Sequence, residues 1–306
     1  MKICIVGCGA IGSIFAAHLA RLDGVEVHAY DVSQQHVDAI ERNGLRISGA
    51  ADFTARLHAT TDVRSIPRCN YGIVATKSTH TKSAIAQAAH VFGPASAVCS
   101  VQNGVGNEDI IAEHVKFVIR GTTFPAGHIV EPGHVGFDIK GDTWIGPFEP
   151  TNTQMARVTE LARLLTESGL NTIALEDARG AQWTKLIFNA STNPVGALTL
   201  LHHGAATRLP ATGQLFDDLI AEGEAVAKAL GITLHGDPRA LVQKGANAPG
   251  KHNASMLQDV LVRRITEVDF MNGAIVKSGE KVGVPTPLNK AMWALIKGLE
   301  HSWTNP

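Results

Sequence analysis

An α/β domain built on a parallel sheet, followed by a domain made only of helices, is the fold class that the sequence predicts, and three observations predict it. The chain opens on an apolar run, Lys2-Ile3-Cys4-Ile5-Val6, that leads without a break into Gly7-Cys8-Gly9-Ala10-Ile11-Gly12 and a helix from Ser13 to Arg21. Strand patterns then alternate with helix patterns up to Glu176. Beyond Glu176 no strand pattern returns and helix signals dominate to the end, which sets residues 1–176 as one domain and 177–306 as the other.

Composition narrows the function classes. At 306 residues and 44% hydrophobic content, the chain can bury two substantial cores. A formal net charge of -1, with no basic tract, supplies no long-range attraction to nucleic acid or to an anionic membrane, so neither is expected as a partner. Cys4, Cys8, Cys69 and Cys99 stand singly in apolar strands or a tight loop with no CxxC, a usage that suits a reducing compartment rather than a disulfide framework or zinc. No signal-peptide pattern opens the chain and no apolar run reaches about 18 residues, so a cytoplasmic protein without a membrane span is expected. The 14 histidines are scattered, HExxH is absent, and the adjacent His202 and His203 cannot chelate from one helical face, so no metal is expected.

The opening run is apolar throughout, as in a parallel strand buried on both faces. In the GxGxxG that follows, the first glycine allows the tight turn, the second lets a pyrophosphate approach the backbone, and the third lets helix pack on strand. Backbone N–H groups of Gly7 to Gly12, the intervening Cys8, Ala10 and Ile11 included, then face the anion at the helix start. A second strand, Val25 to Tyr30, ends at Asp31, 19 residues after Gly12, where a carboxylate can accept from adenine-ribose hydroxyls and repel a 2′-phosphate. The other reading of Asp31 is a cap, near Ser33, for the helix through Val37 to Arg42. Further units follow: strand Tyr71 to Thr76, helix Thr81 to Phe92, strand Ala97 to Val101, helix Asn107 to His114. Lys77 follows one strand end and Gln102-Asn103-Gly104 another, where ligands of such sheets lie; turn chemistry alone also explains Asn103-Gly104. Strands around Val118 to Thr123, His128 to Val130, Val135 to Phe137 and Thr143 to Ile145 read as a meander finishing the sheet. Helix Asn152 to Ser168 and strand Asn171 to Leu175 close the domain.

The second half opens on Ala181 to Pro194, a helix too apolar for a surface, yet Lys185, Asn189 and Asn193 recur on it every four residues as one polar stripe. A lysine taken from water needs partners, and two carboxamides that donate and accept suit a polar ligand beside it. The competing reading is a lysine that snorkels to the surface. Next come His202 to Leu209 as a loop, Gln214 to Leu230 as an amphipathic helix stopped by Gly231, and a Gly/Pro-rich linker through Gly250. Leu257, Leu261, Ile265, Val268, Asn272 and Ile275 then predict one long helix, with a capping box at Ser255-Met256-Leu257-Gln258. Glu267 lies beside its apolar seam, where a surface pair with Arg263 or Arg264 is the plain alternative.

GCGAIG at residues 7–12, Lys77, QNG at 102–104, KLIFNASTNP at 185–194, NASMLQD from 253 and RRITEVDFMNG to 273 occur in one order and at domain-scale spacing. Together they resemble the ketopantoate reductase family, over nearly the whole chain. The resemblance implies a Rossmann-type dinucleotide-binding domain joined to a helical domain of the 6-phosphogluconate dehydrogenase C-terminal type, with the active site in the cleft between them. It implies reduction of a small 2-oxo acid to a D-2-hydroxy acid with NADPH or NADH. By the same resemblance Lys185 matches the catalytic lysine, Asn189 and Asn193 substrate-binding amides, and Asn103 the residue at nicotinamide and substrate. Lys77 matches a residue near the cofactor, Ser255 a ligand of the substrate carboxylate, and Glu267 a carboxylate at the nicotinamide ribose that helps position the lysine. Two departures bear on specificity. The family often carries a base where this chain has Asp31, so the family favours NADPH and Asp31 favours NADH. Its enzyme of pantothenate synthesis tends to have an asparagine about 18 residues past the lysine, where this chain has His203, so a branched or aromatic side chain other than that of ketopantoate is expected of the substrate. A homodimer is compatible with this reading. Two alternatives stay open: a β-hydroxyacid dehydrogenase-like enzyme, whose glycine loop usually runs GxGxMG, and a non-catalytic NAD(P)-sensing protein, against which Lys185, Asn189, Asn103 and Glu267 together argue.

Overall fold

The computed structural model describes residues 1–247 and 253–304. By its internal contacts the chain forms two compact units, residues 1–102 with 107–178, and residues 103–106 with those from 179 onward.

The first unit runs β1 (Lys2–Val6), α1 (Ala10–Leu19), β2 (Glu26–Tyr30), α2 (Gln34–Asn43), β3 (Leu45–Gly49), β4 (Phe53–Ala55), β5 (His58–Thr60), β6 (Cys69–Val74), α3 (Thr81–Ala88), β7 (Phe92–Ser100), α4 (Asn107–Ala112), β8 (Phe117–Thr123), β9 (Ala126–Glu131), β10 (His134–Ile139), β11 (Thr143–Pro147), α5 (Met155–Glu167) and β12 (Thr172–Ala174). Its main sheet has the order β12-β11-β8-β7-β6-β1-β2-β5. β1 pairs in parallel with β2 on one side, Cys4 opposite His28, and with β6 on the other, Cys4 opposite Gly72. The strand order therefore reverses at β1, and the crevice beyond its carboxyl end is where such sheets hold ligands.

The expected meander is corrected. Of the four strands, β8 and β11 lie in the main sheet, antiparallel to each other, whereas β9 and β10 join β3 and β4 in a second sheet of order β4-β3-β10-β9. The physical reason lies in α1, where every residue from Gly12 to Leu19 is buried. A helix buried on all sides cannot be covered by one sheet, and α1 packs on the main sheet and on β3, β9 and β10 of the second. Phe92 starts β7 rather than ending a helix, because Pro94 biases Gly93 toward extended backbone.

The second unit is all helical: α6 (Arg179–Thr199), α7 (His203–Arg208), α8 (Pro210–Ala229), α9 (Pro238–Ala246), α10 (Ser255–Leu261), α11 (Asn272–Val282) and α12 (Pro287–Thr304). α6 is central and packs against α7, α8, α9, α10 and α12, its Trp183, Leu186, Ile187 and Ala190 meeting Phe216, Ile220, Met256 and Ile275. Pro194 lies inside α6 and has no N–H for the Ala190 carbonyl. Asn272 supplies the missing donor, its Nδ2 reaching Ala190 O at 2.8 Å.

Three expectations for this half are corrected. Residues 203–208 are a helix, not a loop, with the His202 ring at its N-cap accepting from Ala205 N at 3.3 Å. The linker contains α9, started by Asp237, whose Oδ1 accepts from Arg239 N at 2.8 Å, and by Pro238 in its first turn; the end of that linker, at 248–250, lies outside the described residues. The long helix is broken. α10 stops at Leu261, Arg263 turns left-handed at φ 50° and Arg264 N closes back on Asp259 O at 2.8 Å, a Schellman-type end that apolar periodicity does not reveal. No capping box forms, since Ala254 is the N-cap and Ser255 already the first helical residue. Among the described residues no helix is long and apolar enough to cross a membrane, and no group of His, Cys, Asp or Glu is placed to hold a metal.

Candidate active site

In the first unit the glycine loop leaves β1 and becomes the first turn of α1. Gly7 turns the chain at φ +90°, and a Cβ there would lie 2.5 Å from Thr76 Cγ2; one on Gly12 would run into the Gly7 carbonyl oxygen. Packing thus demands both glycines. Gly9 differs, since a Cβ on it would meet open space. It is the N-cap of α1 and has no side chain to cap the helix, so the N–H groups of the first turn are presented to an anion approaching along that space. Cys8, Ala10 and Ile11 offer backbone rather than side-chain chemistry; burial pushes the Cys8 thiol up to about 12, so it stays protonated.

Asp31 is bonded directly to this loop. Its Oδ2 accepts from Cys8 N at 2.8 Å and its Oδ1 from Ser33 N at 2.9 Å, which leaves each oxygen able to accept once more from a ribose hydroxyl. The cap of α2 is Ser33, whose Oγ accepts from His36 N at 3.4 Å, so Asp31 is not spent on that role. The Tyr30 phenol is raised by burial, then by Asp31 and Asp62, which identifies a second carboxylate near the end of β2. Arg42 Nε is bonded to Asp38 O at 3.1 Å and Arg64 Nε to Asp62 Oδ1 at 3.0 Å. These loop, helix-start and carboxylate features fit an adenine dinucleotide.

Lys77 follows β6 on a loop that leaves beside the end of β1, with Ala75 N bonded to Val6 O at 2.9 Å. The buried Gln102 ties that loop down, its Nε2 lying 2.9 Å from Thr76 O and 2.8 Å from Thr81 Oγ1, and Thr81 Oγ1 in turn 2.8 Å from Asn107 Oδ1.

In the second unit the polar stripe of α6 faces inward: Asn189 and Asn193 are buried and Lys185 is half-covered. Part of Lys185 reaches the surface, but protein is dense around its ammonium, and that density decides its acidity. Burial pulls the lysine from its ordinary value down to about 8, with the Glu267 carboxylate acting in the opposite direction. Glu267 is 3% exposed, in the turn between α10 and α11. It is therefore no surface partner of Arg263 or Arg264; Arg264 pairs with Asp259, Nη1 to Oδ1 at 3.5 Å. Asn103 Nδ2 reaches Glu267 Oε2 at 3.5 Å, a long bond. The reason Asn103 stands there is Gly104, at φ +86°, where a Cβ would strike the Phe270 carbonyl oxygen that accepts from Val105 N at 3.0 Å.

The structure thus brings Asn103, Lys185 and Glu267 together, with Asn189 and Asn193 further along the same stripe. Asn193 Nδ2 meets Met271 Sδ at 3.6 Å, at the foot of the broken segment. Ser255 opens α10, which packs along α6. His203 sits on α7 with its Nε2–H donated to Val242 O at 3.0 Å and its ring stacked 6.5 Å from Phe216 and tilted 5.8 Å from Phe188 of α6. Two contributors escaped the sequence reading. Gln182 Nε2 holds Gly104 O at 3.3 Å, and its place one turn before Lys185 on the same stripe is the signal that could have found it. Asn272, the donor beside Pro194, had no such signal.

Comparison with known proteins agrees with this arrangement. The family described as ketopantoate reductase PanE/ApbA matches residues 3–150, and its C-terminal counterpart matches residues 177–300. A 2-dehydropantoate 2-reductase of Pyrococcus abyssi is 33% identical over 300 residues, and one of Archaeoglobus fulgidus 30% identical over 299, each alignment covering 98% of both chains. Among solved structures, a PanE/ApbA family ketopantoate reductase from Ralstonia eutropha superposes with a TM-score of 0.89 at 30% identity over 100% of both chains. A D-mandelate dehydrogenase with NADH and anilino(oxo)acetate does so with a TM-score of 0.90 at 26% identity over 99% of both. With a Rossmann-type first unit, a helical second unit and matches along nearly its whole length, the chain belongs to the ketopantoate reductase family.

Proposed function

We propose that this protein reduces a 2-oxo acid to the D-2-hydroxy acid with NAD(P)H, and that Lys185 is the general acid. The observation that carries the role is the Lys185 ammonium, on a buried stripe beside Glu267, with a pKa pulled down to about 8. An amine of that acidity keeps its proton at neutral pH yet yields it to an alkoxide more readily than an exposed lysine. When bound, the reduced nicotinamide supplies the hydride that adds to the carbonyl carbon. Negative charge then grows on the carbonyl oxygen; Lys185 stabilises it and transfers the proton that completes the hydroxyl. Glu267 opposes the effect of burial and keeps the lysine charged. Asn189 and Asn193 orient the substrate by donating and accepting, Ser255 binds its carboxylate, and Asn103 spans Glu267 and the reacting groups.

The division of labour assigns residues 1–176 to the dinucleotide, through Gly7 to Gly12, Asp31 and Lys77, and residues 177–306 to substrate and proton. Asp31, with Asp62 near, favours NADH, since a 2′-phosphate there would meet carboxylates while Arg42 and Arg64 are already engaged. The substrate class is that of the family: the relatives are 2-dehydropantoate 2-reductases and the structural neighbour acts as a D-mandelate dehydrogenase. The His203 ring among Phe188 and Phe216 supports a branched or aromatic side chain. We place the enzyme in the cytoplasm, where its four buried thiols stay reduced; a homodimer is compatible with this reading and is tested by sedimentation. The deciding experiment is a panel of 2-oxo acids, ketopantoate and phenylglyoxylate included, assayed with NADH and NADPH. Steady oxidation of cofactor with at least one acid is expected, and none with any acid would overturn the proposal.

A further inference from the structure

The chemistry above leaves out a buried carboxylate, Glu300, on the C-terminal helix α12 and only 4% exposed. Its Oε1 accepts from Thr266 N at 2.8 Å and from Thr266 Oγ1 at 2.7 Å. Its Oε2 lies 2.9 Å from Lys297 Nζ. Lys297 also reaches Asp269 Oδ2 at 3.1 Å, and Asp269 Oδ1 accepts from Trp293 Nε1 at 2.7 Å. One helix therefore grips the chain immediately before Glu267, at Thr266, and two residues after it, at Asp269. The grip matters because Glu267 stands between α10 and α11, where no continuous α-helical ladder holds the backbone. Thr266 is fully buried and offers two donors that water cannot reach; Glu300 satisfies both with one oxygen.

We infer that Glu300 is a positioning residue: by clamping Thr266 it holds the Glu267 carboxylate beside Lys185. The inference rests on the reading of Lys185 as general acid with Glu267 as its charged neighbour. Lys297 on its own helix and Thr266 on the turn face Glu300, and Asn103 and Lys185 face Glu267.

The test is the pH profile of kcat for reduction, with thermal melting alongside, in the wild type, Glu267→Gln, Glu300→Ala and Glu300→Gln. The wild-type rate falls as pH rises through the lysine, about 8. Glu267→Gln removes the charge that opposes burial, so its alkaline limb moves to lower pH. Glu300→Ala frees the turn, and the limb moves the same way while kcat falls about tenfold, the scale expected of a small misplacement. Glu300→Gln keeps an oxygen for Thr266 and returns the limb close to the wild-type position. Limb position does not depend on the fraction of protein folded, and should Glu300→Ala fail to fold, Thr266→Val is read in its place, with a smaller displacement in the same direction. A Glu300→Ala limb at the wild-type pH, with only the melting temperature lowered, overturns the inference, as does a Glu300→Gln limb displaced as far as that of Glu300→Ala. A limb unmoved in Glu267→Gln instead overturns the reading of Lys185 and Glu267 on which the inference rests.

Discussion

The glycine loop at residues 7–12 and the turn at 262–271 both serve charged groups, the first with backbone and the second with side chains. In the loop, two glycines are enforced by packing and the third leaves space, so helix N–H groups are open to an anion and no side chain need be aimed. In the turn, Glu267 is held at its place by Asn103 from a distant loop and by a helix that ends at Thr304. A backbone site is local and tolerates what surrounds it. A side-chain site depends on partners far along the chain, and each can be broken singly.

Lys185→Ala should produce the largest effect, lowering kcat by about two orders of magnitude or more while leaving NADH affinity in place; near wild-type turnover would remove the lysine from the chemistry. A pair of glycine variants sharpens the contrast. Gly104→Ala forces a side chain onto the Phe270 carbonyl at a positive φ, and a loss of stability of about 1–3 kcal/mol is expected together with a lower kcat, read by melting and by assay. Gly9→Ala has room for its methyl, so the melting temperature without cofactor should hold while the Kd for NADH rises about tenfold or more. If both variants behave alike, the distinction between the two regions fails. The wild type should prefer NADH over NADPH in kcat/KM by about 5- to 150-fold, the equivalent of about 1–3 kcal/mol of repulsion and lost ribose bonds. Asp31→Asn should erase most of that preference, and an NADPH-preferring wild type would refute it. The smallest change is Ser33→Ala, which removes the cap of α2 and should cost about 1 kcal/mol of stability by denaturant titration without altering kcat.

What the sequence disclosed follows the same contrast. The parallel core, the glycine loop and the place of Asp31 beside it were legible because each is written in neighbouring residues and one period. The Lys185 stripe was legible too, since a helix puts every fourth residue on one face. The second sheet was not. β3 and β4 are short, and nothing local tells β10 to pair with β3 rather than extend the main sheet; the need arises from an α1 that is buried on all sides. The break after Leu261 was hidden because Val268 and Ile275 continue the apolar spacing across it, and only the left-handed Arg263 ends the helix. The link from Thr266 to Glu300 joins residues 34 apart and carries no periodic signal.

The most direct test of the central claim is kcat measured against pH in both directions of the reaction. For reduction Lys185 must start protonated, so the rate should fall as pH rises through about 8. For oxidation of the D-2-hydroxy acid it must start neutral, so the rate should rise through the same pH. Opposite limbs meeting near that value are the expected result; limbs running in the same direction, or a reduction rate that stays level across it, would contradict the assignment of Lys185 as the group that carries the proton.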